Sequence, residues 1–107
     1  MFFFSKNQSI SVQDAYTKIT TEKSPIIDVR EEGEYMSGHV KSAINIPLSR
    51  LSQTDAIKLR TKESVLVICQ SGGRSSRAVD FLKENNVNAI QVEGGTSAWK
   101  IHNLPME

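Results

Sequence analysis

Ser64-Val65-Leu66-Val67-Ile68-Cys69-Gln70-Ser71-Gly72-Gly73-Arg74-Ser75-Ser76 carries an apolar, mostly β-branched run that stops at the chain's single cysteine. Val65 to Ile68 does not alternate with polar residues, so it reads as a strand buried on both faces. Beyond the cysteine, Ser75 or Ser76 can cap a helix whose Ala78, Val79 and Leu82 recur on one face at helical spacing. Cys69 therefore stands where a parallel strand ends and a helix begins, the place where open α/β sheets bind ligands. A helix N-terminus offers free N–H groups and the positive end of the helix dipole. Gly72 and Gly73 let the backbone curl so that these N–H groups turn inward and form an anion cradle. A thiol inside such a cradle is a candidate nucleophile.

Outward from this segment the pattern repeats. Upstream, Ile10 closes a short strand, and Ser11 with Asp14 makes a capping-box start for a helix carrying Val12, Ala15, Tyr16 and Ile19. Pro25 to Val29 is a buried strand, Glu31 to Ser37 a brief helical turn ended by Gly38, and Ala43 to Ile46 a strand stopped by Pro47. Ser52 with Asp55 opens another helix, which carries Ile57 and Leu59. Downstream, Asn85-Asn86 stops the helix after the cysteine, Ala89 to Val92 is the fifth strand, and Gly94-Gly95 turns the chain. Thr96 can cap a last helix containing Trp99. Strands alternating with helices predict a parallel sheet between two helical layers, in one domain over 1–107.

Composition narrows the function classes. The net charge is +1, from 13 basic and 12 acidic residues, so no nucleic-acid partner is implied. One cysteine excludes an internal disulfide, a C-x-x-C redox pair and an internal resolving thiol, and it fits a reducing compartment. Met1 to Phe4 is apolar but too short for a signal-peptide core, and no apolar run reaches membrane-spanning length. The expectation is a soluble, cytoplasmic protein without membrane contact.

Each candidate group has a plain structural alternative. A free cysteine is often just a small buried hydrophobe; the glycines and the arginine around Cys69 argue for reactivity. A fall in thiol pKa from ~8.5 to ~6.5 would raise the thiolate fraction at pH 7 about 25-fold. Intrinsic nucleophilicity would drop roughly 8-fold over the same interval, leaving a gain of only about threefold. Holding the substrate and stabilising developing charge on inward N–H groups must supply most of the rate. Arg74 can hold an oxyanion by two parallel hydrogen bonds, or be salt-bridged to Asp80 or Glu84 on the following helix. Asp28, Arg30 and Glu34 follow another strand end and read as a structural ion-pair network beside the same mouth. Whether Arg30 or Trp99 lines that mouth is left open by the sequence. His39 and His102 stand at no metal-ligand spacing, so neither a metal nor a cofactor is expected. Gly72-Gly73-Arg74-Ser75 lacks the spacing and lysine of a nucleotide P-loop.

Taken together, the residues resemble single-domain rhodanese-type sulfurtransferases. Cys69-Gln70-Ser71-Gly72-Gly73-Arg74 is similar to the active loop of that family. Ile27 to Glu31, Glu34-Tyr35, Gly38-His39-Val40 and Ala43 to Leu48 look like its upstream signature, and Val92 to Gly95 with Ala98-Trp99 and Leu104-Pro105 like its C-terminal one. The motifs come in the family's order over nearly the whole chain. The resemblance implies a rhodanese-like three-layer sandwich with a five-stranded parallel sheet. It implies that Cys69 takes the outer sulfur of thiosulfate, or of another persulfide donor such as a protein persulfide, and passes it from a Cys69 persulfide to cyanide or a thiol. Gln70, Ser71, Gly72, Gly73, Arg74 and Ser75 would bind the substrate, the backbone N–H groups holding the persulfide and Arg74 the anion.

Three rivals remain at this stage. Phosphatases and arsenate reductases also set a cysteine and an arginine around an anion cradle, and dual-specificity cell-cycle phosphatases share the rhodanese fold. Their loop has five residues between the two; here only Gln70 to Gly73 intervene, which makes a smaller bowl. No aspartate near the loop is an obvious general acid for an alkoxide leaving group. The other rivals are a persulfide carrier loaded by another enzyme and a non-catalytic binding module of the same fold.

Overall fold

The computed structural model describes residues 8–107, so Met1 to Phe4 lies outside the described residues. Ten regular elements follow in alternation: β1 (Ser9–Ile10), α1 (Val12–Glu22), β2 (Ile26–Asp28), α2 (Glu32–Met36), β3 (Ile44–Asn45), α3 (Gln53–Leu59), β4 (Val65–Ile68), α4 (Gly73–Glu84), β5 (Ala89–Val92) and α5 (Gly95–Ile101). All strand pairs are parallel, and the sheet order is β1-β5-β4-β2-β3. The expected five-stranded parallel sheet between helices is thus present.

Side chains on successive strand residues point to opposite faces, and this splits the core in two. Val65, Val67 and Cys69 join Ala78, Val79 and Leu82 of α4 and Ala56 of α3 on one face. Leu66 and Ile68 join Val12 and Ala15 of α1 and Trp99 of α5 on the other. β4 lies at the centre, and all four of its residues are buried, as expected for a strand covered on both sides. Ser11 accepts from the Asp14 N–H at 3.1 Å, and Ser52 with Asp55 forms a reciprocal capping box.

Two local expectations are corrected. α4 starts at Gly73 with Gly72 as its cap, because Gly72 adopts φ 133°, open only to glycine; Ser75 lies inside the first turn and points inward. α5 starts at Gly95 with Gly94 as cap (φ 76°), so Thr96 is free for another bond. In α3 it is Ala56 that is buried, while Ile57 is 55% exposed.

Among the described residues no helix is long and apolar enough to cross a membrane. Among the same residues no group of three His, Cys, Asp or Glu side chains could hold a metal.

Candidate active site

Cys69 follows β4 directly and is 1% exposed. Its Sγ accepts from the Gly72 N–H at 3.1 Å and lies 3.4 Å from Ser75 Oγ. Burial pushes the thiol up, but the Ser75 hydroxyl and the N–H groups of Ser75, Gly72 and Ser71 outweigh it and bring the thiol below its ordinary value. The loop is therefore shaped to hold negative charge on sulfur.

The start of α5 fixes the first peptides of this loop. The Cys69 carbonyl accepts from the Thr96 N–H at 2.9 Å and from Thr96 Oγ1 at 3.1 Å, and the Gln70 carbonyl accepts from the Ser97 N–H at 3.1 Å. In a planar trans peptide the carbonyl and the following N–H point in opposite directions. Anchoring the Cys69 and Gln70 carbonyls on α5 therefore aims the N–H groups of Gln70 and Ser71 away from it, and the Ser71 N–H is one of those that stabilise the Cys69 thiolate. The approach is so close that a Cβ on Gly95 would stand 2.4 Å from the Cys69 carbonyl oxygen. Gly95 adopts φ 60° as well.

A second clamp comes from β5. Its register sets Gln91 beside Val67, and Gln91 shares the sheet face of Ala89 and Cys69. Gln91 Nε2 donates to the Gly72 carbonyl at 2.8 Å and to Ser75 Oγ at 3.1 Å. Ser75 Oγ also lies 3.1 Å from the Gly72 carbonyl, which in addition accepts from the Ser76 N–H at 3.1 Å. When Cys69 is a thiol, its proton goes to Ser75 Oγ, and the hydroxyl proton goes to the Gly72 carbonyl. When it is a thiolate, the hydroxyl swings to sulfur while Gln91 and Ser76 keep the carbonyl satisfied. Gln91, Gly95, Thr96 and Ser97 were not singled out for the site from sequence. In the sequence Gln91 shows only as a polar residue inside the apolar run Ala89 to Val92, Gly95 only as part of a turn and a C-terminal signature, and Thr96 only as a cap.

The four charged residues beside the loop, Asp28, Arg30, Glu34 and Arg74, are paired. Arg74 makes a two-pronged bridge to Glu34 at 2.6 and 2.9 Å, so its partner is neither Asp80 nor Glu84. Arg74 holds the Glu34 carboxyl at about 2, far below the usual carboxylate range. Arg30, 3% exposed, forks onto the fully buried Asp28 and donates to the Gly38 carbonyl at 2.8 Å and to Gln70 Oε1 at 3.2 Å. Asp28 and Arg30 thus form an ion pair that Glu34, bonded to Arg74, does not join, and Arg30 touches the cysteine loop through Gln70. Gln70 Nε2 goes on to Ser97 Oγ at 2.9 Å.

The remaining candidates stand apart. Trp99 is core, edge-on to Tyr16, with its indole N–H on the Pro105 carbonyl at 2.9 Å. It lines a cleft of about 250 Å³ with Tyr16, Lys23 and Lys41 at the opposite edge of the sheet, since Lys23 and Lys41 precede strands. His39 stacks on Tyr35 at 3.7 Å, and His102 lies 3.1 Å from Gln13.

A family model for the rhodanese-like domain matches residues 11–102. The chain belongs to the rhodanese-like domain family. A rhodanese-related protein of Thermoplasma volcanium superposes with a TM-score of 0.84 at 37% identity, covering 94% of this chain and 97% of that one. YqhL of Bacillus subtilis is 41% identical over 78 residues, covering 72% of this rhodanese-like chain. The adenylyltransferase and sulfurtransferase uba4 of Ogataea parapolymorpha is 31% identical over 96 residues, covering 88% of it. The chain spans 61% of the length of YqhL and 24% of that of the Ogataea protein.

Proposed function

We propose that this rhodanese-like domain is a sulfurtransferase that moves a sulfane sulfur from thiosulfate or another persulfide donor to a thiophilic acceptor through a Cys69 persulfide. Family membership and a relative named as a sulfurtransferase support a sulfur-transfer or persulfide-related role. The observation that carries the finer reading is the Cys69 sulfur itself, 3.1 Å from the Gly72 N–H in a loop that lowers its pKa. The thiolate attacks the outer sulfur of the donor. A new S–S bond forms, the bond to the donor's remaining group breaks, and that group leaves with the electron pair. Cyanide or a cellular thiol then attacks the outer sulfur of the persulfide and restores the thiolate. N–H groups fixed before reaction need no reorganisation as charge moves along the sulfurs. The four residues between Cys69 and Arg74, and an arginine committed to Glu34, disfavour aryl phosphate hydrolysis.

The test is the intact mass of the purified protein after incubation with thiosulfate, and separately with a cysteine desulfurase and cysteine. The expected result is an added sulfur that is absent in Cys69→Ala and removed by cyanide. No adduct from either source would overturn the reading and leave a binding module. Turnover of para-nitrophenyl phosphate lost in Cys69→Ser would replace it with a phosphatase.

A further inference from the structure

Glu34 is placed where it sets what kind of donor the cysteine loop accepts. Arg74 is the one cation of the segment Gln70 to Ser75, and two of its N–H groups are held by Glu34 at 2.6 and 2.9 Å. That fork is the geometry with which an arginine would grip a sulfonate. A sulfonate must displace a carboxylate tethered within the same molecule, whose effective concentration is high. Arg30, which bonds the loop residue Gln70, is also occupied by Asp28 and the Gly38 carbonyl. Arg30 with Asp28 and Arg74 with Glu34 cancel in pairs, so these four groups give the mouth no net positive charge.

The donors differ in the charge they bring. Attack of the Cys69 thiolate on thiosulfate carries three negative charges through the transition state, ending as a persulfide anion and sulfite. Attack on the outer sulfur of R–S–SH carries one. There the Cys69 S–S bond forms as the R–S to outer-sulfur bond breaks, the proton stays on the outer sulfur, and R–S⁻ leaves. A surround of paired charges plus a few N–H groups suits a single charge and leaves a triple one under-compensated.

We infer that Glu34 is a specificity-determining residue: by occupying Arg74 it makes the site select thiol persulfides over the thiosulfate dianion. This rests on the sulfurtransferase reading. The persulfide's source, a free thiol or another protein's cysteine, shares this chemistry.

The experiment measures Cys69 sulfur loading by intact mass, with thiosulfate, with cysteine persulfide, and with a cysteine desulfurase plus cysteine, in the wild type, Glu34→Gln and Glu34→Gln/Arg74→Gln. Glutamine preserves the acceptor that Glu34 Oε1 offers the Glu31 N–H, so α2 keeps its cap. The wild type should load faster from cysteine persulfide than from thiosulfate. The ratio of thiosulfate to cysteine persulfide loading should rise at least about tenfold in Glu34→Gln, and the double variant should lose that gain because it depends on a freed Arg74. Faster loading from the desulfurase than from free persulfide would assign the source to a protein; the reverse would assign it to a small thiol, and either fits. A ratio that falls or stays level in a folded Glu34→Gln, or a gain that survives in the double variant, overturns the role of Glu34. Absence of loading from every donor overturns the sulfurtransferase reading, and this inference with it.

Discussion

Ser75 is the residue on which the ionisation of Cys69 turns most directly. Its hydroxyl is 3.4 Å from Sγ and buried, and it lowers the thiol pKa. Ser75→Ala removes that bond, so the pH midpoint of Cys69 alkylation by iodoacetamide should move up. An unmoved midpoint would mean the backbone N–H groups suffice. Cys69→Ala should abolish sulfur loading without unfolding the domain, which circular dichroism would check. Glu34 makes a different prediction. Its folded pKa is about 2 against an ordinary 4.5, so the ionised carboxylate stabilises the fold above 4.5, and that contribution is lost as pH falls toward about 2. The pair is more than a third exposed on the glutamate side, at 38%, so solvent screening limits Glu34→Gln to less than about 1 kcal/mol at neutral pH. Thermal melts of the two proteins should converge as pH falls through that interval.

At the level of elements, the first turn of α5 behaves as part of the active loop although it lies 26 residues downstream by number, Gly95 against Cys69. Thr96 and Ser97 carry the Cys69 and Gln70 carbonyls, and Gly95 makes the approach sterically feasible. Gly95→Ala puts a Cβ 2.4 Å from the Cys69 carbonyl oxygen at a backbone φ of 60°. The strand-end loop and α5 must then separate. The expected cost is about 2 kcal/mol, roughly 10 °C in Tm, together with slower sulfur loading. A variant with wild-type loading at an unchanged Tm would show that α5 does not orient the loop.

For the molecule as a whole, the parallel sheet is what brings distant segments to one rim. Register aligns Asp28 with Ile68 and Gln91 with Val67, so the loops after β2 and β4 and the start of α5 meet there. Arg30 ties them: it holds Asp28 of β2, the Gly38 carbonyl beyond α2, and Gln70 of the cysteine loop. Removing it leaves a fully buried carboxylate without its partner. Arg30→Ala should therefore cost about 3–5 kcal/mol by denaturant titration. Asp28→Leu/Arg30→Met should cost less than Arg30→Ala, because no unpaired charge is left behind; a double variant as unstable as the single would point to the Gly38 and Gln70 bonds instead.

The sequence by itself determined the strand through Val65–Ile68, the caps at Ser11 and Ser52, the glycine turns and the position of Cys69 at a strand end. These follow from rules that act within a few residues: side-chain period, capping and the conformational freedom of glycine. Only the tertiary structure decided that Arg74 bonds Glu34 rather than Asp80 or Glu84, that Thr96 and Ser97 orient the loop carbonyls, and that Gln91 braces Ser75. Hydrogen-bonding side chains and charges choose partners by distance in space, and Glu34 and Arg74 lie forty positions apart in sequence. That distance is closed by the parallel register, so no local pattern records it.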